Sequence, residues 1–262
     1  MKSIKTLLFI LFGLAACQPK YSYLYQYPKI ETHPINHMMV VIDFINLRDD
    51  LGKYWDFDSY YHQKVLNQLL HKINEQLSNA GYPQVDSYLL SSGLLFKTDF
   101  RVEHYIQDQL QNELLHPPFI LAKANITEEQ IPQHQEILGI LVKYIAPRRH
   151  HDSDELSHRG MQLGYQLESM KIPDDSAILY IHIDLSAPGI IKQMGTFLLS
   201  GAIASQADYA HVHLDATATR HASAFLLHKG SGQIIWKNYS NRWTPEQPIE
   251  KLLKQLPVQT SH

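Results

Sequence analysis

Two short runs of histidine and aspartate contain the residues of this chain that are best suited to bind a metal ion. The first run is His182-x-Asp184, and the second is His211-x-His213-x-Asp215. Because alternate residues of a strand point to the same face of a sheet, each run would present a row of imidazole and carboxylate groups. Such groups are ligands of zinc and other divalent ions. The rows could form a metal site if their strands are neighbours, but such alternation is more typical of a sheet with one solvated face, which is the interpretation that we favour.

The usual catalytic motifs are absent from the sequence. It contains no phosphate-binding Gly-x-x-x-x-Gly-Lys loop, no His-Glu-x-x-His pair and no Gly-x-Ser-x-Gly turn. We therefore expect a protein that is not an enzyme, with no cofactor and no catalytic residues. A metal-dependent or serine hydrolase stays open as an alternative. Loss of an activity on replacement of His211 or His213 would favour it.

A different chemistry, lipid attachment, is indicated at Cys17, the only cysteine of the chain. Two lysines precede an apolar stretch that ends in Leu14-Ala15-Ala16-Cys17. A positive start, a short apolar run and small residues are typical of a secretory signal peptide, here residues 1–16. The last four residues resemble the lipobox of bacterial lipoproteins, which implies that Cys17 receives acyl chains, palmitate among them. Several such chains anchor a protein stably to a membrane.

The resemblance to lipoproteins also predicts a location. Gln18 follows the cysteine, whereas an aspartate there is typical of retention at the inner membrane. We expect the periplasmic face of the outer membrane. With its only cysteine acylated, the chain has none left for a disulfide.

Composition limits the partners that are expected. The chain has 262 residues, 44% of them hydrophobic, which is ordinary for a globular protein with a real core. Its formal net charge is −3, and removal of the two leader lysines makes it more acidic. Nucleic acid is therefore not expected as a partner, because binding to phosphate backbones needs a basic face.

The hydrophobic periodicity predicts alternating strands and helices. Residues 17–36 contain three prolines and alternating tyrosines, and they predict a tether that could span up to about 60 Å. The tyrosine alternation leaves a partner-binding strand open as an alternative. Strands are predicted at His37–Leu47, Val85–Phe96, Ile137–Ile145, Ala177–Leu185, His211–Arg220, Ser223–His228 and Gln233–Tyr239. Helices are predicted at Tyr60–Leu77, Val102–Leu115, Pro188–Ser205 and Pro245–Leu256, with a polar loop at Pro147–Asp152.

These elements predict an α/β fold, with α+β as the alternative. We expect a mixed sheet with helices mainly on one face and a carboxy-terminal antiparallel hairpin. Residues 37–243 would form a single periplasmic domain, and residues 244–262 a terminal helix and tail.

The last strand pair carries a family resemblance. Its sequence, from Ala224 to Trp236, resembles the late hairpin of certain envelope lipoproteins, in which a strand is followed by Asp-x-x-Thr-Gly and a strand ending in tryptophan. These are the curli-secretion lipoprotein, the activators of penicillin-binding proteins and the TolB amino-terminal domain. Here His228 replaces the aspartate, and Ser231-Gly232 replaces Thr-Gly.

The resemblance implies a protein that works by binding other proteins. We expect a non-catalytic, lipid-anchored accessory or adaptor in envelope assembly, secretion or peptidoglycan synthesis, with an envelope protein as partner. Assembly with copies of itself is also open. In that alternative the chain is a pore subunit, and Pro188–Ser205 would have to refold or insert into the membrane.

Overall fold

A computed structural model describes residues 22–26, 35–50, 54–97, 99–106, 109–145, 163–188, 220–244 and 247–259. The strands are β1 Ser22–Gln26, β2 His37–Ile45, β3 Arg48–Asp50, β4 Tyr54–Asp56, β5 Val85–Ser92, β6 Phe100–Ile106, β7 Gln109–Leu115, β8 Ile120–Ala124, β9 Ser176–Asp184, β10 Ala187–Pro188, β11 His221–His228 and β12 Gln233–Ser240. The helices are α1 Ser59–Asn79, α2 Gln130–Ile140, α3 at 163–169 and α4 Ile249–Leu252. A π-helical turn, Leu141–Ile145, continues α2.

The main sheet has seven strands in the order β1-β12-β11-β9-β2-β5-β8. Its centre is parallel, because β2 runs in the same direction as both β5 and β9. The outer pairs β9-β11, β11-β12, β12-β1 and β5-β8 are antiparallel. A second sheet has five strands in the order β10-β3-β4-β6-β7. Two of its strands, β3 and β10, come directly after β2 and β9 in the chain.

Helices cover both faces of the main sheet, because each central strand is apolar on both sides. Side chains of α1 and α4, among them Leu66, Ile73 and Leu252, pack with Val40 and Ile42 of β2 on one face. On the other face, helices α2 and α3 pack against the intervening strand residues. That second core contains Met39, Val41, Leu89, Ile137, Leu138, Leu163, Leu167, Ile178, Tyr180 and Phe225.

Helix α1 has well-defined signals at both ends. The Asp58 side chain accepts a hydrogen bond of 2.8 Å from the Tyr61 backbone N–H, as an N-cap residue does. After the last turn, Gly81 adopts a φ of 82°, and the Tyr82 N–H bonds back to the Leu77 carbonyl. A left-handed residue after a helix favours glycine. The buried positions Leu66, Ile73 and Leu77 lie along one face of the helix between these two ends.

The α/β class, the mixed sheet and the final hairpin are confirmed. Strands β2, β5, β9, β11 and β12 and helix α1 all lie where the hydrophobic pattern predicts them. One part of the expectation needs correction, because the helices cover both faces and not mainly one.

Two element types were predicted wrongly. The predicted helix Val102–Leu115 is instead the antiparallel pair β6-β7, in which Val102 pairs with Glu113. The apolar residues of this segment are four positions apart, which fits a helix locally. The segment forms strands instead, because β6 and β7 pair with each other and β6 also pairs with β4. The predicted strand Ile137–Ile145 is helical, because a short apolar run does not distinguish a buried strand from a buried helix.

The two ends of the chain also differ from expectation. Residues 22–26, within the predicted tether, form strand β1 and pair with β12, so part of that segment belongs to the sheet. The helix predicted at Pro245–Leu256 is only the single turn Ile249–Leu252. Within the described residues, no helix combines the length and the apolar character needed to cross a membrane. The segments Pro147–Asp152 and His211–Thr219 and nearly all of Pro188–Ser205 lie outside the described residues.

Candidate functional site

A row of polar side chains crosses the main sheet near the carboxyl ends of its parallel strands. Strand pairing aligns Asp43 of β2 with Ser91 of β5 on one side and with His182 of β9 on the other. The row continues to Ser223 of β11 and Tyr239 of β12. These residues lie on the same face of the sheet as the second core. The face covered by α2 and α3 therefore changes from apolar to polar at this row. Carboxyl ends of parallel strands are where ligands bind in open α/β sheets.

Asp43 lies at the centre of this row and is completely buried. Its Oδ1 atom accepts hydrogen bonds from the Ser91 hydroxyl at 3.1 Å and from the Leu94 N–H at 3.0 Å. Its Oδ2 atom lies 3.2 Å from Nδ1 of His182, which is an ion-pair distance. The direction of that approach does not meet hydrogen-bond geometry, so both atoms lack a hydrogen-bond partner within the described residues.

One step further along the strands, three ligand-type side chains converge. Asp184 of β9 pairs directly with His221 of β11, and the His182 ring centroid lies 5.6 Å from that of His221. One donor atom from each of His182, Asp184 and His221 lies within 4.8 Å of the other two. Asp184 Oδ1 accepts a hydrogen bond of 2.9 Å from the Ser186 N–H, which orients the carboxylate.

Burial shapes the electrostatics of this group. Desolvation is the main cause that lowers the pKa of His221, and the neighbouring His182 lowers it further, while Asp184 acts in the opposite direction. The His221 ring is therefore held neutral near pH 7, with a nitrogen lone pair available. Imidazole lone pairs and a carboxylate can bind a divalent cation or accept protons.

The predicted site residues have different outcomes. His182 and Asp184 lie on one strand face as predicted, and the structure brings them together. Cys17 and the second predicted row, His211, His213 and Asp215, lie outside the described residues, so their roles stay predictions. The third member of the observed group, His221, was not among the sequence candidates.

A polar cavity of about 530 Å³ opens at the opposite, amino ends of the same parallel strands. Its lining includes His37, Asp86, Gln130 and Lys171. His37 Nδ1 and Asp86 Oδ2 lie 2.8 Å apart at its rim. This recess is wide and polar, and it is separated from the histidine group by the length of the strands.

Comparison of the chain with models of protein families, with curated proteins and with solved structures finds no match.

Proposed function

We propose that this chain is a lipoprotein of the bacterial envelope, held by acyl chains on Cys17 at the periplasmic face of the outer membrane. Its α/β domain binds another envelope protein as an accessory to secretion, envelope assembly or peptidoglycan synthesis. The lipobox-like sequence Leu14-Ala15-Ala16-Cys17 after a charged and apolar leader supports the anchor. The positions of β1 and β8 at the two edges of the main sheet support a binding role.

The observation that carries the proposal is the position of β1. Its first residue, Ser22, follows five positions after Cys17 and pairs with Ser240 at the edge of the main sheet. Five extended residues span at most about 17 Å. An acylated Cys17 would therefore keep the β1 edge of the sheet close to the bilayer, and the domain would have a restricted orientation.

That orientation places the opposite edge, strand β8, away from the membrane. No strand lies beyond β8 in the part of the sheet that the structure describes. Leu121 of β8 is 40% exposed. An open edge with an exposed apolar residue is suited to pairing with a strand of another protein. We place the partner at this membrane-distal edge.

Acylation and location are tested first. Cells are fed a labelled fatty acid, and the wild-type chain is compared with Cys17→Ala after separation of the inner and outer membranes. We expect label and outer-membrane location for the wild type, and neither for the variant. Equal membrane retention of the two chains would contradict the anchor.

Partner binding is tested by photo-crosslinking in intact cells. A photoreactive phenylalanine replaces Leu121, and a matched chain carries it in place of Tyr60, an exposed residue of α1. Mass spectrometry should identify one envelope protein that is captured from position 121 and not from position 60. Capture of only further copies of this chain would replace the adaptor by a self-assembling protein. Identical capture from both positions would contradict binding at the β8 edge.

A further inference from the structure

We propose that His182, Asp184 and His221 form a binding site for a zinc ion. The site lies at the junction of β9 and β11, and the proposed anchor and partner edge do not depend on it. Three protein ligands leave a fourth coordination position for water or for a group from a bound molecule.

The separation of the three donor atoms is close to what zinc requires. Ligand atoms in a tetrahedral zinc site, each about 2.1 Å from the metal, are about 3.4 Å apart. The observed limit of 4.8 Å therefore calls for a contraction of about 1.4 Å at most between the widest pair. Asp184 and His221 are only partly buried, so their side chains have room to rotate. While the side chains rotate, the paired backbones of β9 and β11 keep the three residues in register.

Asp43 supplies the second layer that a metal-bound histidine normally has. Because its Oδ2 atom lies 3.2 Å from Nδ1 of His182, the Asp43 carboxylate favours the tautomer with the proton on that nitrogen. Nε2 is then left with its lone pair for the metal. A carboxylate behind a ligating histidine fixes the tautomer and makes the imidazole a better ligand. Asp43 is itself held in place by Ser91 and the Leu94 N–H.

Charge and ligand type both favour zinc. The carboxylates of Asp43 and Asp184 together balance a dication, which gives the buried Asp43 charge a compensating partner. Imidazole nitrogen is a preferred ligand of zinc, whereas calcium and magnesium take oxygen ligands. Two imidazole nitrogens and one carboxylate therefore favour a metal of intermediate softness, such as zinc, over calcium and magnesium.

The test uses the full-length chain, purified in detergent and freed of metal with a chelator. Zinc is titrated by calorimetry, and cobalt is added separately because histidine-bound cobalt has a visible absorption spectrum. We expect one zinc per chain in the wild type. Asp184→Asn and His221→Ala should each weaken binding at least 100-fold and alter the cobalt spectrum. His71→Ala, at an exposed position of α1, is the matched control and should bind as the wild type does.

Asp43→Asn tests the supporting layer. Its stoichiometry should stay at one, with affinity 10- to 100-fold weaker, as is usual when such a partner is removed. Circular dichroism of the metal-free chains checks folding, and His221→Gln replaces any His221→Ala chain that does not fold.

Three results would overturn the proposal. One is no saturable binding by the wild type, and another is unchanged affinity in both Asp184→Asn and His221→Ala. The third is loss of binding only on replacement of His211 and His213, which would move the site to the other predicted row.

Discussion

Acidification from pH 7 to pH 5 should lower the free energy of unfolding by about 2 kcal/mol through one residue, His134. His134 lies in α2 and is completely buried against the sheet. Its Nδ1 atom is hydrogen-bonded with the Tyr180 hydroxyl at 2.8 Å, and Nε2 has no hydrogen-bond partner among the described residues. Burial lowers the pKa of His134 from its ordinary value of 6.5 to about 4, because the charged ring would be desolvated.

The sign and size of the effect follow from this difference in pKa. Between pH 6.5 and pH 4 the unfolded chain takes up a proton at His134 that the folded chain does not bind, so acid favours unfolding. Stability from this residue is complete above pH 6.5 and falls as the pH approaches 4. At about 1.4 kcal/mol per pH unit, the loss is about 2 kcal/mol at pH 5 and about 3 kcal/mol at pH 4.

The assay is urea unfolding at pH 7 and pH 5, followed by tryptophan fluorescence, to which the buried Trp236 and Trp243 contribute. Other histidines titrate too, so the informative quantity is the difference between variants. In His134→Gln the amide can still bond with Tyr180 but does not titrate, and we expect its loss of stability between the two pH values to be smaller by about 2 kcal/mol. His71→Gln, at an exposed position, should behave as the wild type does. Equal losses in the wild type and His134→Gln would refute the reasoning.

Three further substitutions test the packing of α1 by urea unfolding. Asp58→Ala removes the cap on the Tyr61 N–H and should lower the free energy of unfolding by about 1 kcal/mol. Gly81→Ala places a Cβ 2.7 Å from the Gln259 carbonyl oxygen at a positive φ, and it should destabilise the fold by more than about 1 kcal/mol. Ile73→Ala opens a cavity in the first core and should lower stability by about 2–5 kcal/mol. An effect below about 0.5 kcal/mol, the usual size for exposed positions, would contradict each argument.

The strongest local patterns in the sequence predict the centre of the fold. Strands β2 and β9 are long apolar runs, and α1 has a clear helical period that ends before a glycine. Prediction fails where the local pattern is ambiguous. The residues of β6 and β7 fit a helical spacing, and only their pairing with each other and with β4 shows them to be strands.

The candidate site was predicted in part, because a single strand shows its own alternation but not its neighbours. His182 and Asp184 could be placed on one face from their spacing alone. Their partners depend on strand order and register, which bring Asp43 beside His182 and His221 beside Asp184. A signal for His221 does exist in the sequence. It lies two positions before Ser223 and four before Phe225, so extending the predicted strand backwards would put it on the same face.

The pairing of β1 with β12 has a consequence for the order of folding. Ser22 of β1 pairs with Ser240 of β12. Strand β1 is synthesised early and β12 almost last, so β1 cannot pair until most of the chain has been made. Contacts between such distant parts of a chain form late, because closing a long loop is slow. Until then the sheet ends at β12, and that strand's outer edge is open. A β1 strand from a second chain could pair there in place of the chain's own, so crowded nascent chains are exposed to strand exchange at this edge.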